Sequence, residues 1–438
     1  MWAYEGIFYQ IYPIGFCGAP TANDGKTVSR ILKLKDWSSY LESLGISSIL
    51  LNPIFESDNH GYDTRDYKKI DCRLGTNEDF AEVCKDLHAH NVKIVLDGVF
   101  NHVGRGFWAF KDVQEKKWDS PYSDWFFINY NDTWAKDGFS YANWEGHEEL
   151  VKLNLQNPAV QNYLLHALDS WIADYNIDGL RLDVAYMVDR DFLRQLKEHT
   201  SSIDKDFFLV GEMIGGDYNV LLKDCGLHSV TNYECRKGIY SSFNSHNLFE
   251  IAYSLNRQFG NDPWTLYHGH HLLSFADNHD VDRIASVLED KRDLPLVYAL
   301  LYAMPGIPCL YYGSEWGAKG KRTKYSDDAL RPCFDKPQWN TLTDWIALLS
   351  EIHTSYRIFA DGDYTQIYIQ NEQFVFRRRS EKGQLTAIFN IADHPVHMDF
   401  NAEVEEGIDL ITKKKQTFDG GIDMPEKSVS LVYTDWIK

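Results

Sequence analysis

The 438-residue sequence lacks the features that mark disulfide-rich, zinc-binding and membrane proteins. Its seven cysteines are an odd number and no two are spaced as CxxC, so neither a disulfide framework nor a structural zinc site is expected. It has no run of about 18 apolar residues, and no basic N-terminal stretch followed by an apolar one. We therefore expect a cytoplasmic protein with no membrane partner, or a secreted one whose leader has been removed.

Positive charge is also scarce. The chain has 44 Lys and Arg residues against 64 Asp and Glu residues, which gives a formal net charge of −20. Such a surface repels polyphosphate, so no nucleic-acid partner is expected. Aromatic residues, in contrast, make up 14% of the chain, with 13 Trp and 26 Tyr. Flat aromatic faces suit sugar rings, although an aromatic-rich core would give the same composition.

Eight short apolar runs alternate with helical stretches over most of the chain. The runs cover residues 6–12, 47–53, 93–99, 177–184, 207–213, 228–233, 272–278 and 307–313. Unbroken apolar runs of this length are typical of strands buried on both faces. Helical periodicity lies between most of them, as over 78–90 and 160–175. Eight strand–helix repeats predict a closed (β/α)₈ TIM barrel of the α/β class rather than an open sheet.

Two segments depart from this repeat. Residues 103–155 form a long excursion after the third strand, which predicts a small insertion subdomain over the active face of the barrel. It contains Trp108, Trp118, Trp125, Trp134 and Trp144. Residues 355–438 alternate like antiparallel strands and predict a C-terminal β-sandwich. The barrel itself is then expected to comprise residues 1–102 and 156–354.

Charged side chains stand where four of the predicted strands end. The segments are DGVFNH at 97–102, GLRLDVA at 179–185, VGEM at 210–213 and ADNHD at 276–280. Functional side chains of a barrel cluster at these carboxyl ends, so we expect Asp183, Glu212 and Asp280 to converge. Strand alternation points Arg181 to the same side as Asp183. Converging carboxylates repel one another, and pairs in different environments are typical of glycosidic bond cleavage.

The four segments, in this order, resemble the signature regions of the α-amylase family. The segments IFYQIYP at 7–13, HGYDTRDYKKID at 60–71 and PGIPCLYYGSE at 305–315 fit the same family, and LVKLN at 150–154 is similar to the MPKLN motif of its neopullulanase and cyclomaltodextrinase branch. The resemblance covers nearly the whole chain. It implies a retaining glycoside hydrolase that cleaves α-1,4-glucosidic bonds of malto-oligosaccharides and starch fragments to maltose and glucose.

The resemblance also implies a role for each catalytic residue. Asp183 matches the nucleophile that forms a covalent glycosyl-enzyme, and Glu212 matches the general acid and base. Asp280 matches the carboxylate that stabilises the transition state. Arg181 matches the cation that keeps the nucleophile ionised, as a guanidinium beside a carboxylate does.

Five further residues are expected to bind or orient the substrate. By resemblance, His102 and His279 hydrogen-bond the reacting sugar, and Tyr62 forms an aromatic platform beneath it. Asp97 is expected on the floor of the site, where it orients its neighbours. Asp63, in the same motif as Tyr62, is expected to bind substrate as well.

Departures from the family pattern narrow these expectations. The first strand begins by about residue 6, so we expect the extra N-terminal β-domain of the neopullulanase branch to be absent and the protein to be a monomer or a weak homodimer. The loop over 18–25 lacks the alternating Asp residues that bind calcium in many relatives. Asn101 alone resembles a ligand of another calcium site. We expect no cofactor and no metal.

The same sequence features are compatible with two other functions. A transglycosylase would pass the same covalent intermediate to a sugar acceptor, and the motifs do not separate it from a hydrolase. A non-catalytic sugar-binding barrel is disfavoured because all three carboxylates are present. Since the Trp-rich insertion is expected to narrow the cleft into a pocket, we also expect short oligosaccharides to be preferred over starch.

Overall fold

Eight short parallel strands form a closed ring at the centre of the molecule. In the computed structural model, which describes residues 1–436, we number them in chain order. They are β1 (Phe8–Ile11), β2 (Ser48–Leu51), β3 (Lys93–Gly98), β4 (Gly179–Leu182), β5 (Phe208–Gly211), β6 (Ser229–Val230), β7 (Leu273–Phe275) and β8 (Ile307–Tyr311). Strand β8 pairs with β1, and a parallel bridge between Thr231 and Leu273 joins β6 to β7. The expected (β/α)₈ barrel is confirmed.

The barrel strands divide their side chains between two apolar clusters. Alternate residues such as Phe8, Leu50 and Val95 fill the lumen, while the residues between them, such as Tyr9 and Ile49, pack in the larger core with the surrounding helices. This period of two is what a strand requires when both of its faces are buried. The apolar runs in the sequence are unbroken because both faces of each barrel strand are buried.

Helices surround the barrel and begin at recognisable caps. Thr76 and Asp79 form a capping box, and Asn157 caps a helix with Pro158 in its first turn. The longer helices are Asn77–Ala89, Pro158–Tyr175, Arg190–Ile203, Tyr233–Asn244, Phe249–Phe259, Leu294–Ala303 and Thr341–Ser355. Shorter ones are Pro13–Phe16, Ser38–Ser43, Trp108–Lys116, Ile284–Val287 and Ile358–Asp361. None of the helices within residues 1–436 has the length and apolar character needed to cross a bilayer.

The chain leaves the barrel after β3 and builds small antiparallel sheets. His102–Gly104 pairs with His147–Lys152, which in turn pairs with Asn143–Trp144. Ile128–Asn129 pairs with Ser140–Tyr141. Because His102 follows shortly after β3, this pairing brings the hairpin over residues 143–152 close to the end of β3.

Antiparallel strands make up the C-terminal part of the chain. In order across the sheet, six strands are Thr365–Ile369, Gln373–Arg379, Gly383–Asn390, Ser428–Asp435, Glu406–Asp409 and Lys415–Thr417. Val396–Asp399 and Gly421–Met424 form a second sheet, and an apolar cluster that includes Val375, Ile388 and Ile422 lies between the two. The expected β-sandwich is confirmed.

Arg378 ties the C-terminal sheet to the barrel. It is 1% exposed, and its guanidinium donates hydrogen bonds to four backbone carbonyls, those of Gly362 (2.9 and 2.8 Å), Phe359 (3.0 Å), Asp363 (3.2 Å) and Ala303 (3.3 Å). Ala303 is the last residue of the helix that precedes β8. Burial lowers the pKa of Arg378 to about 10. Because these carbonyl groups have no access to water, they depend on the Arg378 side chain for hydrogen bonds. We therefore expect the side chain to stabilise the junction between the C-terminal sheet and the barrel.

The variant Arg378→Met should lower the free energy of unfolding by about 2–4 kcal/mol, since it leaves buried carbonyl groups without donors. Urea denaturation monitored by fluorescence measures the change. The matched control is Arg379→Met, which removes a partly exposed pair with Gln384 and Glu403 and should cost less than about 1 kcal/mol. Equal losses in the two variants would contradict this role.

Candidate active site

Neighbouring strands bring the first charged residues together. Arg181 lies within β4, and in the sheet it is opposite Asp97 of β3 and Val210 of β5. Asp183 follows directly after β4, and Glu212 follows directly after β5. The register of three parallel strands therefore sets these four side chains side by side at the carboxyl end of the barrel.

The guanidinium of Arg181 contacts three carboxylates. Its Nη1 donates to both oxygens of Asp97, at 2.8 and 2.7 Å, and to Oδ1 of Asp183 at 2.9 Å. Its Nη2 lies 2.7 Å from Oε1 of Glu212. All four residues are at most 5% exposed. One buried cation is thus shared by three acidic groups.

This sharing controls the protonation of the acids. Burial raises the pKa of Asp183 well above its usual value, although the positive charge of Arg181 opposes the shift. Burial raises the pKa of Glu212 too, with Arg181 again in opposition. A single positive charge cannot balance three buried negative ones, so the cluster holds a proton more readily than free carboxyl groups do.

The second oxygen of Glu212 accepts a hydrogen bond from a strained segment of backbone at Val184. Val184 has φ 38°, in the left-handed region that β-branched residues rarely adopt. This conformation aims its N–H at Oε2 of Glu212, 2.9 Å away. Strain of this kind is concentrated at functional sites, because the surrounding structure must maintain it.

Asp280 lies on a turn beyond β7, with a different set of partners. Its Oδ2 is 3.0 Å from Nε2 of His279, and its Oδ1 accepts a hydrogen bond from Nη2 of Arg331 at 3.0 Å. Burial would raise the pKa of Asp280, but the positive charges of Arg331 and Arg181 and the contact with the His279 ring outweigh burial and lower it. Asp280 is therefore an anion under conditions in which the Arg181 cluster retains a proton.

The hydrogen bonds around His279 identify which nitrogen of its ring carries the hydrogen. Burial lowers the pKa of His279 to about 3, so the ring is neutral. The side-chain amide of Gln10 donates to Nδ1 at 3.0 Å, which leaves the hydrogen on Nε2. Nε2 faces the hydroxyl of Tyr62 at 2.5 Å as well as Asp280. The Tyr62 hydroxyl in turn donates to Asp97 at 3.2 Å, which links the two groups of acids.

A cavity of about 620 Å³ opens above these residues. Its lining comprises His60, Tyr62, His102, Trp144, His147, Glu149, Leu150, Asp183, Val184, Glu212, Ile214, Tyr233, Asp280, Val281, Arg322, Asp327 and Arg331. Asp97, Arg181 and His279 lie beneath this surface. The cavity thus exposes Asp183, Glu212 and Asp280 to a ligand while their partners stay behind them.

His102 has an unused nitrogen at the cavity wall. Its Nε2 is buried without a hydrogen-bond partner among the described residues, and lies 3.9 Å from Oδ2 of Asp183. Burial lowers the pKa of His102 to about 3, so the ring is neutral. A buried polar atom without a partner is costly, and a hydroxyl of a bound ligand would satisfy it.

Asp63, which was predicted to bind substrate, does not line the cavity. It is 1% exposed, and it accepts hydrogen bonds from the Asn59 side chain at 3.0 Å and from the His60 backbone N–H at 3.2 Å. These bonds fix the turn that presents Tyr62. Asp63 therefore supports the site instead of facing a ligand.

Sequence reasoning missed several of the lining residues, and it did not distinguish which tryptophan of the insertion reaches the cavity. Arg331 and Tyr233 lie in no matched motif, so only the fold brings them to the cavity. Of the five tryptophans in the insertion, Trp144 alone lines the cavity. Trp108 and Trp125 pack against each other, and Trp118 and Trp134 are 70% and 97% exposed.

Comparison with known proteins agrees with this geometry. Residues 10–355 match the sequence profile described as "Alpha amylase, catalytic domain". The chain belongs to the α-amylase family of glycoside hydrolases. The resemblance carried by the four strand-end motifs is thereby confirmed.

Other proteins of the α-amylase family are similar in sequence to this chain over most of its length. A maltogenic α-amylase of Bacillus acidopullulyticus is 28% identical over 437 residues, which cover 92% of this chain and 72% of that protein. Neopullulanase 2 of Thermoactinomyces vulgaris is 32% identical over 343 residues, which cover 73% of this chain and 57% of that protein. The chain therefore spans only part of the length of these relatives.

Solved structures in the family match nearly end to end. The cyclic α-maltosyl-(1→6)-maltose hydrolase of Arthrobacter globiformis superposes with a TM-score of 0.83 at 26% identity, covering 99% of both chains. The Thermus thermophilus protein Ttha1563 superposes with a TM-score of 0.84 at 27% identity, covering 98% of this chain and 99% of the other.

Calcium, which many α-amylase family members bind, does not fit the acidic groups found near one another. Among residues 1–436, Glu56, Asp71 and Cys72 are the group whose potential ligand atoms lie within 4.8 Å of one another. Both oxygens of Asp71 already bind Arg73, at 2.8 and 2.7 Å. Glu56 accepts from the backbone N–H of Cys72 and from Asn23. Since thiols are poor ligands for calcium, this cluster is a hydrogen-bonded network instead of a cation site.

Replacing the candidate nucleophile should remove activity without unfolding the protein. Asp183→Asn keeps the shape of the side chain but cannot supply an anionic nucleophile, so kcat on maltotetraose should fall by at least about 10³-fold. Circular dichroism and the unfolding midpoint report the fold. Asp191→Asn, on an exposed helix end, is the control and should keep wild-type activity. A nearly unchanged kcat in Asp183→Asn would exclude the role of Asp183.

Proposed function

We propose that the protein is a retaining hydrolase that cleaves α-1,4-glucosidic bonds of malto-oligosaccharides to maltose and glucose. The observation that carries the proposal is that Asp183 and Glu212 bind two nitrogens of one guanidinium, at 2.9 and 2.7 Å. This shared contact keeps the two carboxyl groups close together. Retaining glycosidases need such closeness, because the nucleophile itself attacks the sugar and no water fits between the acids.

The reaction proceeds through two displacements. The Asp183 carboxylate attacks the anomeric carbon, the glycosidic C–O bond breaks, and the leaving oxygen takes the proton of Glu212. A water molecule then attacks the same carbon, gives its proton to Glu212, and releases Asp183 as a carboxylate. Two inversions restore the original configuration. The raised pKa of Glu212 suits the first step, because the group must hold a proton near neutral pH.

Polar groups around the acids support binding of a single glucosyl unit at the reacting position. The unpartnered Nε2 of His102 and the carboxylate of Asp280 lie at the same cavity, and His279 contacts Asp280 from beneath. The ring of Tyr62 lines that space from below. A hydroxyl-rich ligand would satisfy the His102 nitrogen, whereas an apolar ligand would leave it without a partner.

The walls of the cavity favour short substrates. The hairpin that carries Trp144, His147 and Glu149 lines one part of it, and the loop with Arg322 and Asp327 lines another. A bounded cavity of about 620 Å³ is of the size that small ligands fill. Similarity to a maltogenic α-amylase is consistent with small products.

Transfer to a sugar acceptor is the second candidate function. It uses the same glycosyl ester on Asp183, and the nucleophile in the second step is a sugar hydroxyl in place of water. A second pocket on the Glu212 side, shared through Ile214 and Tyr233, favours this alternative, because it offers space for an acceptor. Product analysis at high maltose concentration separates the two reactions.

A proton NMR time course on maltotetraose tests the proposed hydrolysis. The α-anomer should appear first and then mutarotate, since the two displacements retain configuration. In parallel, kcat/KM on maltotriose to maltohexaose should exceed that on soluble starch by about tenfold or more, because the walls restrict long chains. Initial release of the β-anomer would contradict the mechanism. Early long oligosaccharides from amylopectin would contradict the preference for short chains.

A further inference from the structure

A second pocket of about 430 Å³ adjoins the catalytic cavity. The two share Ile214 and Tyr233 in their walls. Ile214 is two residues after Glu212, and the Tyr233 hydroxyl lies 3.5 Å from Oε1 of Glu212. The second pocket is lined by Ile214, Gly215, Gly216, Tyr218, Tyr233, Glu234, Arg236, Lys237, Tyr240 and Arg257. It therefore begins beside the group that exchanges a proton with the leaving or incoming sugar.

Positive charge dominates this pocket, in a chain whose net charge is −20. Its lining includes three cations and one carboxylate. Arg257 pairs with that carboxylate, Glu234, and Lys237 pairs with Glu250, which is outside the lining. Arg236 has no carboxylate within 4 Å among residues 1–436, although its charge acts on the buried Asp277, and its Nε is buried without a hydrogen-bond partner. One cation of the pocket therefore makes no close ion pair.

Arg236 is held in place instead of moving freely in solvent. Its guanidinium lies over the ring of Tyr240, 4.8 Å from the ring centre. Stacking of this kind fixes the plane of a guanidinium and leaves its edge available for an anion. The lining is open at Gly215, because a Cβ there would meet no heavy atom within 4 Å. A ligand can therefore approach the backbone there closely.

We propose that this second pocket binds the acceptor or leaving monosaccharide, and that Arg236 selects one that carries an anionic substituent. The substituent is a phosphate or a carboxylate, since both match the donor geometry of a guanidinium. The proposal rests on the proposed function, because it assigns the ligand to the Glu212 side of the reacting bond.

The transfer reaction balances without any further reagent. A hydroxyl of the anionic sugar attacks the anomeric carbon of the glycosyl ester, and the ester bond to Asp183 breaks. The proton of that hydroxyl passes to Glu212, and Asp183 leaves as a carboxylate. The product is an oligosaccharide with the anionic sugar at its reducing end.

Isothermal titration calorimetry of the full chain tests the selection of an anionic sugar. The probes are glucose, glucose 6-phosphate, glucuronate and inorganic phosphate. We expect at least one of the two anionic sugars to bind at least about tenfold more tightly than glucose and than inorganic phosphate. Whichever of the two binds more tightly identifies the substituent as a phosphate or a carboxylate. Equal dissociation constants for glucose and both anionic sugars would overturn the proposal, and so would inorganic phosphate binding as tightly as either of them.

Variants assign the effect to Arg236. Arg236→Gln should weaken binding of the preferred anionic sugar by about tenfold or more, whereas Arg236→Lys, which keeps the charge, should weaken it less. Lys223→Gln, an exposed cation outside the pocket, is the matched control and should bind as the wild type does. Unchanged binding in a folded Arg236→Gln would overturn the proposal. If Arg236→Gln does not fold, equal binding by Arg236→Lys and wild type together with a loss in Lys223→Gln would overturn it.

The binding measurement is independent of turnover. Absence of maltotriose hydrolysis would therefore contradict the proposed function and leave the anion selectivity to be judged by calorimetry alone. Conversely, normal hydrolysis with no preference for anionic sugars would leave the proposed function intact and remove the role of Arg236.

Discussion

The guanidinium of Arg181, buried at the mouth of the barrel, is the contact on which the rest of the candidate site depends. It joins Asp97, Asp183 and Glu212, which come from three neighbouring strands. Without it, three buried carboxylates would repel one another, and each would have to take up a proton or leave the interior. With it, the three carboxylates share one cation and stay buried together, while burial keeps the pKa values of Asp183 and Glu212 raised.

The barrel provides this contact through strand register, and its loops complete the site from other directions. The turn after β7 supplies His279 and Asp280, and a distant loop supplies Arg331, which keeps Asp280 negative. Tyr62 connects the two groups, because its hydroxyl contacts both Asp97 and His279. The site thus contains one acid group that is poised to hold a proton and another that is not, although both face the same cavity.

The parts of the molecule that follow from local pattern were predictable, and the parts that follow from loop packing were not. The eight barrel strands read as apolar runs because both of their faces are buried, and Asp183 and Glu212 were found because they directly follow strands. Arg331 has no such signal. Trp144 could not be told from Trp134, since only the hairpin fold decides which ring faces the cavity.

The most direct test of the shared-proton account is the pH dependence of kcat/KM on two substrates, maltotriose and maltosyl fluoride. Fluoride leaves without being protonated, so only maltotriose needs the proton of Glu212. We predict that activity on maltotriose falls on the alkaline side while activity on the fluoride does not, and that Glu212→Gln loses about 10²–10⁴-fold on maltotriose but little on the fluoride. An alkaline fall at the same pH for both substrates, or equal losses in Glu212→Gln, would contradict the account.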